Sequence, residues 1–451
     1  MGKLFGTDGV RGVANKELTP ELACALGKAG TYILSSEIND RPPSVIIGKD
    51  TRISGDMLED GLAAGILSAG GNVIRAGVMS TPAIAFLVHD MGADCGVVIS
   101  ASHNTFEYNG IKFFNSRGYK LDDAIENRIE EIALTGGLPG TPVSGESIGR
   151  ALECEDDALS RYANHMTESI GCDISGLKLV VDCANGASCA AAKTVFGKLN
   201  AQAHFIGDEP NGTNINDGFG STHPEALRAA VIATGADLGL AFDGDADRLI
   251  AVDENGGIMD GDHIMYICAK HMKERGELTG NRVTATVMSN IGLRLAFEQL
   301  GIELDLADVG DRYVLELMQK TGCVLGGEQS GHIIFLDKNT TGDGLFAGLR
   351  LIEALAYSGK KASEASAGLT IYPQVLKNAA VKNEHKKTFR SDPEIAIAIE
   401  KIEVQMKGEG RVLIRPSGTE PLVRVMIEGA DAGHIEREAT ILAELIEKKL
   451  G

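Results

Sequence analysis

The most chemically suggestive segment of the chain places three aspartates at alternate positions, Asp243-Gly244-Asp245-Ala246-Asp247-Arg248. In extended backbone, alternate side chains share a face, and three carboxylates come together only around a cation. A ligand set made of oxygen atoms favours a hard ion, either Mg²⁺ or Ca²⁺. The preceding residues 238–242 are apolar, as in a buried strand, which argues against a solvated acidic turn. We predict a divalent metal site at these aspartates.

An EF-hand loop is the alternative that the same spacing raises. Counted from Asp243, the twelfth position is Glu254, which is the acid that such a loop requires. The sixth position must be Gly for the sharp turn, however, and here it is Arg248. Residues 249–252 also have the pattern of a strand, so we exclude the EF-hand.

A serine follows another predicted strand, in Ser100-Ala101-Ser102-His103-Asn104. A hydroxyl exposed at the end of a strand is well placed as a nucleophile or phosphate carrier. A serine that caps its own turn is the simpler interpretation of this segment taken alone, and His103 alone is more often structural. Lys112 would bring a cation near the serine if the chain folds back, and otherwise it is a surface charge.

A third polar segment joins two predicted strands, Arg415-Pro416-Ser417-Gly418-Thr419-Glu420-Pro421. Arginine supplies a forked donor, the two hydroxyls supply short donors, and Gly418 lets backbone N–H groups approach an oxyanion. A plain hairpin turn explains Gly and Pro but not the combination of Arg with two hydroxyls. The segment therefore favours phosphate binding.

Two further glycine-rich segments are ambiguous when taken alone. Residues 326–332 offer Glu328 and Ser330, a carboxylate and a hydroxyl that suit adjacent sugar hydroxyls, followed by His332. Residues 6–12 contain a single cation, Arg11. A polar loop without a ligand explains either segment equally well.

The elements that must position these segments alternate between strand and helix. Short apolar runs and helical spacings recur from about residue 20 to residue 370, which predicts parallel sheets covered on both faces. After about residue 371 the pattern changes to strands and helices of an α+β unit. We predict three similar α/β domains with mixed, mostly parallel sheets around a central cleft, and a smaller C-terminal α+β domain. The predicted boundaries are 1–157 (serine loop), 158–256 (aspartate loop), 257–370 (Glu328 loop) and 371–451 (Arg415 loop).

Each predicted domain contributes one polar loop that directly follows a strand. In open parallel sheets, ligands bind at the carboxyl ends of strands. Four such loops predict one shared cleft between the domains.

Composition narrows the class of protein. The 451 residues carry 43 Lys and Arg against 63 Asp and Glu, a net charge of −20, which argues against non-specific binding to nucleic acid or anionic membranes. No long apolar run and no signal-peptide pattern is present, and the eight cysteines form no C-x-x-C pair. We expect a soluble protein with reduced thiols in the cytoplasm.

Taken together, the segments resemble those of the α-D-phosphohexomutase superfamily, in the order 6–12, 100–104, 243–248, 327–332 and 415–421. The resemblance covers essentially the whole chain. Residues 211–216, 220–223 and 309–314 resemble the branch of the superfamily that acts on glucosamine phosphates.

The resemblance implies a role for each segment. Ser102 would be a phosphoserine that gives its phosphoryl group to the substrate, and one Mg²⁺ per chain would be held by that phosphoserine with Asp243, Asp245 and Asp247. The residues that would stabilise the transferring charge are Arg11, Lys112 and Arg248. The residues that would bind the sugar hydroxyls and the non-reacting phosphate are Glu328, Ser330, His332, Arg415, Ser417, Gly418 and Thr419.

The activity implied is interconversion of glucosamine 6-phosphate and glucosamine 1-phosphate through a 1,6-bisphosphate, in the synthesis of amino-sugar nucleotides for cell-wall precursors. The same chemistry on glucose or mannose phosphates is the nearest alternative. A metal-dependent phosphohydrolase and a non-catalytic sugar-phosphate sensor are alternatives from other classes. The implied partners are a hexosamine phosphate, a sugar bisphosphate or kinase that primes Ser102, and a second copy of the chain in a homodimer. A hinge is expected near Ala367 and Gly368.

Overall fold

The computed structural model describes residues 4–6, 8–34, 41–135, 143–386, 388–406, 408, 410–417 and 420–451. The chain forms two compact units. The first unit is built from the chain up to Met288 together with Ile302–Ala367, and the second from Ser289–Gly301 together with Gly368–Gly451. Within the described residues, the first unit contains three sheets and the second unit one.

The first sheet has the strand order β1-β2-β6-β5-β3-β4-β7. Its strands are β1 (Phe5–Gly6), β2 (Gly9–Val13), β3 (Ser44–Lys49), β4 (Asn72–Val78), β5 (Cys95–Ile99), β6 (Tyr108–Asn115) and β7 (Ala151–Glu153). Its helices are α1 (Pro20–Leu34), α2 (Gly55–Ser68), α3 (Thr81–Asp90) and α4 (Asp123–Thr135). Strands β3 and β5 are parallel, so the segments that follow them, Asp50–Arg52 and Ser100–Ser102, leave the sheet at the same edge.

The second sheet has the order β12-β11-β10-β8-β9. Its elements are α5 (Glu155–Glu168), β8 (Lys178–Asp182), α6 (Ser188–Lys198), β9 (Gln202–Ile206), α7 (Glu225–Thr234), β10 (Leu238–Phe242), β11 (Leu249–Asp253) and β12 (Ile258–Met259). Every residue of β10 and β11 is buried, and the two strands pair antiparallel. The aspartate segment is therefore the loop of a central hairpin, which confirms the predicted strand after Arg248.

The third sheet has the order β14-β13-β15-β16. Its elements are α8 (Gly261–Glu274), β13 (Arg282–Thr286), β14 (Glu303–Ala307), α10 (Asp311–Thr321), β15 (Leu325–Gly327), β16 (Ile333–Phe335), α11 (Gly344–Ser358) and α12 (Ala362–Ser366). Helix α10 extends to Thr321 and is followed by Gly322 in the left-handed conformation, and strand β15 begins at Leu325. The hairpin of β15 and β16 carries the Glu328 loop.

The second unit is an antiparallel sheet with helices. It consists of α9 (Ile291–Leu300), β17 (Gln374–Ala380), α13 (Pro393–Gln405), β18 (Gly410–Pro416), β19 (Leu422–Gly429) and α14 (Ala432–Leu450), with the strand order β17-β19-β18. The apolar face of the last helix, represented by Ile435 and Ile446, is buried. In the described residues, no helix is both long enough and apolar enough to cross a membrane.

Candidate active site

The three aspartates predicted to bind a metal converge in the structure. Asp243, Asp245 and Asp247 are all buried, and one ligand oxygen from each lies within 4.8 Å of the others. Burial and the neighbouring carboxylates raise the pKa of Asp243 and of Asp247. The Oδ1 atoms of Asp245 and Asp247 are buried without a hydrogen-bond partner. Three buried carboxylates, two of which have an unpartnered oxygen, fit a metal ion that prefers oxygen ligands.

Ser102 faces this carboxylate group. Its Oγ donates a hydrogen bond to Oδ2 of Asp243 at 2.6 Å, and it lies 3.3 Å from Nδ1 of His103. The residue is 1% exposed, and its φ of 51° lies in the left-handed region that non-glycine residues rarely adopt. A strained, buried serine beside a metal-type site is typical of a functional residue.

Two residues that the sequence analysis missed hold the serine loop in this conformation. Arg52 pairs with Asp50 and donates to the carbonyl oxygens of Ser102 and Asn104, at 3.1 and 2.6 Å. Asn216 donates to the same two oxygens through Nδ2, each at 2.9 Å. The signal that could have found Arg52 is its position directly after a buried strand, like that of Ser102.

Gly244 explains why the aspartate loop and the serine loop can approach so closely. A β-carbon at this position would lie 2.6 Å from the carbonyl oxygen of Ser102 and 2.8 Å from Nδ2 of Asn216. Real β-carbons do not come this close to other heavy atoms. The residue between Asp243 and Asp245 must therefore be glycine for the serine to reach Asp243.

We expect Arg52→Met to lower the free energy of unfolding by about 3–5 kcal/mol, because the buried carboxylate of Asp50 loses its partner. Urea denaturation followed by circular dichroism measures the loss. Arg41→Met is the matched control, since Arg41 is 49% exposed and pairs with Asp94. Its expected loss is below about 1 kcal/mol. Equal losses in the two variants would contradict the structural role of Arg52.

Lys112 is a buried cation next to the serine and the aspartates. Strand β6 places it opposite Val98 on β5, just before the serine loop. Its Nζ lies 2.9 Å from Oδ2 of Asp245 and 3.0 Å from Oδ2 of Asp8. Burial lowers the pKa of Lys112, but the charges of Asp245 and Asp8 outweigh burial and raise it above its usual range. Lys112 therefore carries a positive charge at neutral pH.

The first unit contains a cleft of about 880 Å³ that brings five of the predicted residues together. The predicted residues in its lining are Arg11, Asp247, Arg248, Glu328 and His332. Arg248 has a buried Nε without a hydrogen-bond partner, and Arg11 pairs with Asp8. The cleft therefore combines cations, a metal-type carboxylate and hydrogen-bonding groups, as a bound sugar phosphate requires.

The Glu328 loop joins the cleft through backbone pairing. His332 pairs with Arg248 in an isolated antiparallel bridge, and both of its buried ring nitrogens lack a hydrogen-bond partner. Glu328 accepts a hydrogen bond from the amide of Gly310 at 3.1 Å, and Ser330 is exposed. The hydroxyl of Ser330 donates a hydrogen bond to Oε2 of Glu328 at 3.5 Å.

The Arg415 segment belongs to the second unit. Arg415 lies on β18 directly opposite Arg424 on β19. Ser417 accepts a hydrogen bond from the amide of Glu420 at 3.1 Å, while Gly418 and Thr419 lie outside the described residues. Like charges on directly opposite strand positions destabilise a sheet, and an anion between them removes that penalty. The sequence analysis missed Arg424, because cross-strand register is not visible in a single segment.

Comparisons with known proteins give a consistent result along the chain. Four family models match, described as phosphoglucomutase/phosphomannomutase alpha/beta/alpha domains I, II and III and C-terminal domain, over residues 2–138, 160–257, 260–372 and 376–445. The chain is 54% identical to the phosphoglucosamine mutase of Acetivibrio thermocellus and 55% identical to that of Clostridioides difficile. In both cases the alignment covers 100% of each protein.

Solved structures show the same architecture. A phosphoglucomutase/phosphomannomutase family protein from Burkholderia thailandensis is similar with a TM-score of 0.82 and 25% identity, over 99% of this chain and 98% of that one. N-acetylphosphoglucosamine mutase of Aspergillus fumigatus, solved with GlcNAc-6P and magnesium, is similar in fold with a TM-score of 0.66 and 17% identity, over 100% of this chain and 97% of that one. Its S69A variant was solved with glucose 1,6-bisphosphate.

Proposed function

The chain belongs to the phosphoglucomutase/phosphomannomutase family, and we propose that it interconverts glucosamine 6-phosphate and glucosamine 1-phosphate. Full-length relatives that share 52–55% of its residues are phosphoglucosamine mutases, which supports both this substrate and an isomerase activity. The observation that carries the proposal is the hydrogen bond of 2.6 Å between the Ser102 hydroxyl and Asp243, inside the carboxylate group and beside the cleft.

In the proposed reaction, the Oγ–P bond of phosphorylated Ser102 breaks as the free hydroxyl of the sugar phosphate forms an O–P bond. The sugar hydroxyl loses its proton in this transfer, and Oγ of Ser102 gains one and becomes a hydroxyl again. The resulting 1,6-bisphosphate turns around in the cleft and returns its other phosphoryl group to Ser102, which leaves the isomer. Asp243 accepts the hydrogen bond of the Ser102 hydroxyl and so orients Oγ toward the phosphorus during the return transfer. Phosphoryl transfer depends mainly on such positioning and on neutralisation of charge.

The residues around Ser102 supply that neutralisation. Lys112, Arg11 and Arg248 present positive charge toward the phosphoryl oxygens. We propose that Asp243, Asp245 and Asp247, with a phosphoserine oxygen, hold one Mg²⁺, whose charge when bound lowers the repulsion between the phosphoryl group and its acceptor. The unpartnered oxygens of Asp245 and Asp247 support these ligands.

Sugar and distal phosphate are bound by the remaining loops. Glu328, Ser330 and His332 hold sugar hydroxyls, for which the free hydrogen-bonding capacity of His332 gives support. The non-reacting phosphate is bound by Arg415, Ser417, Gly418 and Thr419, and the facing Arg415 and Arg424 support an anion at this place. One dedicated phosphate site can bind either end of the bisphosphate after it turns.

The proposal also covers the source of the phosphoryl group on Ser102, the assembly of the chain and its location. A sugar bisphosphate primes Ser102, a role supported by the bisphosphate bound to the Aspergillus relative, and a kinase is the alternative source. The chain works as a homodimer in the cytoplasm, and its eight free cysteines suit a reducing compartment.

A substrate panel tests the proposed function. Glucosamine, glucose and mannose 6-phosphates are incubated with the enzyme, Mg²⁺ and glucose 1,6-bisphosphate, and ³¹P NMR follows the 1-phosphates and free phosphate. We expect glucosamine 6-phosphate to have the highest kcat/KM, by at least about tenfold, because one lost polar contact is worth that much. Faster conversion of glucose or mannose phosphate would support the mutase reaction but show that the preferred substrate is not glucosamine phosphate. Free phosphate without isomerisation would identify a phosphatase.

A further inference from the structure

Lys120 occupies an unusual position that none of the motifs includes. Its Nζ lies 2.6 Å from Oδ1 of Asp8 and also pairs with Oδ2 of Asp311. The lysine side chain is 17% exposed, and the two carboxylates are 23% and 18% exposed. One lysine thus connects the segment that carries Arg11 to the start of α10.

The contacts of these two carboxylates extend the connection to the active site. Asp8 also pairs with Arg11 and with Lys112, whose Nζ lies 2.9 Å from Asp245. On the other side, Oδ2 of Asp311 lies 3.8 Å from Nε2 of His332, which lies 3.9 Å from Oδ2 of Asp247. Acidic and basic side chains therefore alternate around a ring that begins and ends in the aspartate loop. We define this ring as Asp245, Lys112, Asp8, Lys120, Asp311, His332 and Asp247.

We propose that Lys120 is a positioning residue of the mutase, which fixes Asp8 and Asp311 so that Arg11 and Lys112 face the transferring phosphoryl group and His332 faces the sugar. The inference rests on the proposed function. Lys120 does not contact the reacting atoms itself. It acts through the two carboxylates, as supporting residues around a reaction centre generally do.

Electrostatics explain why a cation is required at this place. Burial lowers the pKa of Lys120, but the charges of Asp311 and Asp8 outweigh burial and raise it above its usual range. Burial also raises the pKa of Asp8, yet Lys112, Lys120 and Arg11 hold it well below its usual value. Burial raises the pKa of Asp311 as well, but the charge of Lys120 outweighs burial and lowers it. Lys120, Asp8 and Asp311 are therefore charged at neutral pH. Without Lys120, Asp8 and Asp311 would be two facing anions, and Asp8 would move away together with its two other cations.

Lys120→Met tests the positioning role in the full-length enzyme with glucosamine 6-phosphate. We expect kcat to fall about 10- to 100-fold, because misplaced charges act on the transition state, while KM changes less than about threefold. Lys120→Arg should recover most of kcat, since a guanidinium also bridges two carboxylates. Unchanged kcat in a folded Lys120→Met enzyme overturns the proposal.

Lys120→Met combined with Asp311→Asn separates positioning from charge balance. The double variant no longer has two facing anions, so we expect its melting temperature to return toward that of the wild type. Because Asp8 still lacks its ion pair with Lys120 in the double variant, kcat should stay low. Recovery of kcat together with the melting temperature would show a purely structural role and overturn the proposal.

A readout independent of turnover comes from the ring signals of His332 in ¹H–¹³C NMR, assigned with His332→Gln. We expect Lys120→Met to shift these signals, and unshifted signals would overturn the link to His332.

Arg350→Met is the matched control, because Arg350 is 15% exposed and pairs with Glu277 and Glu353 outside the cleft lining. It should change neither signals nor kcat. An inactive wild type would refute the proposed function, whereas an active wild type with equal activity in Lys120→Met would refute only the role of Lys120.

Discussion

We expect Ser102→Ala to lower the rate of glucosamine 6-phosphate isomerisation by at least about 10⁴-fold, as removal of a covalent nucleophile does in other enzymes. Alanine has no Oγ to carry a phosphoryl group. The loop itself should keep its conformation, because Arg52 and Asn216 bind its backbone oxygens and not the serine side chain. The loss therefore reports on chemistry and not on folding, and ³¹P NMR of the turnover mixture measures it.

Intact-protein mass spectrometry identifies the phosphorylated residue directly. After incubation with glucose 1,6-bisphosphate, the wild type should gain the mass of one phosphoryl group and Ser102→Ala should not. Ser100→Ala is the matched control for loss of a buried hydroxyl from the same loop, since Oγ of Ser100 accepts hydrogen bonds from the amide of Ser102 at 3.0 Å and from Nη1 of Arg52 at 3.4 Å. It should still gain the phosphoryl mass. Labelling of Ser102→Ala would show that another residue is the carrier.

Removal of divalent metal is the second large effect. We expect EDTA to lower turnover by about 1000-fold or more, equivalent to about 4 kcal/mol of transition-state stabilisation, and Mg²⁺ to restore it. Mg²⁺ at 100 times its dissociation constant should also stabilise the folded protein by about 2.7 kcal/mol. Thermal unfolding with and without Mg²⁺ measures this effect, and unchanged turnover in EDTA would exclude a metal-dependent reaction.

Asp247→Asn links the metal effect to the carboxylates. Without metal, the substitution removes one of three mutually repelling buried charges, so the variant should be at least as stable as the wild type. With Mg²⁺ it lacks a ligand, so the stabilisation by Mg²⁺ should shrink. Asp182→Asn is the control for removal of a buried carboxylate from the same sheet, since Asp182 binds the amides of Ala184 and Gly220 and no metal-type group. It should lower stability equally with and without Mg²⁺. An identical response of Asp247→Asn and the wild type to Mg²⁺ would refute Asp247 as a ligand.

The parts of the fold that the sequence predicts well are those with local signals. The apolar run of β10 ends just before Asp243, and the next apolar run begins at Leu249. Because both runs are visible in the sequence, the two strands and the loop between them were predicted correctly. Helix α14 has the same kind of local signal, since Ile435 and Ile446 lie on one face at helical spacing and both are buried. The predicted domain boundaries and residue roles remain predictions.

Contacts between distant segments could not be predicted in this way. Strand β6 was missed, although it carries Lys112, because a buried lysine among apolar residues breaks the expected alternation. Asn216 and Lys120 give no local signal, since their partners lie more than a hundred residues away. Such side chains are identified only when the tertiary structure shows which buried charges need a partner.

The path of the chain through its two compact units limits how the protein can be divided. Strands β13 and β14 belong to the first unit, yet α9 between them belongs to the second. A β-carbon on Gly292 of α9 would lie 1.8 Å from the carbonyl oxygen of Thr370, and Asn290 exchanges hydrogen bonds with the backbone of Tyr372, each at 3.0 Å. A gene cut once near residue 370 would thus separate α9 from the segment it packs on. An exchange of the C-terminal unit between relatives, by recombination or by grafting, must therefore include Ser289–Gly301 as well as Gly368–Gly451. Replacement of the C-terminal segment alone would leave α9 of one protein against the sheet of another.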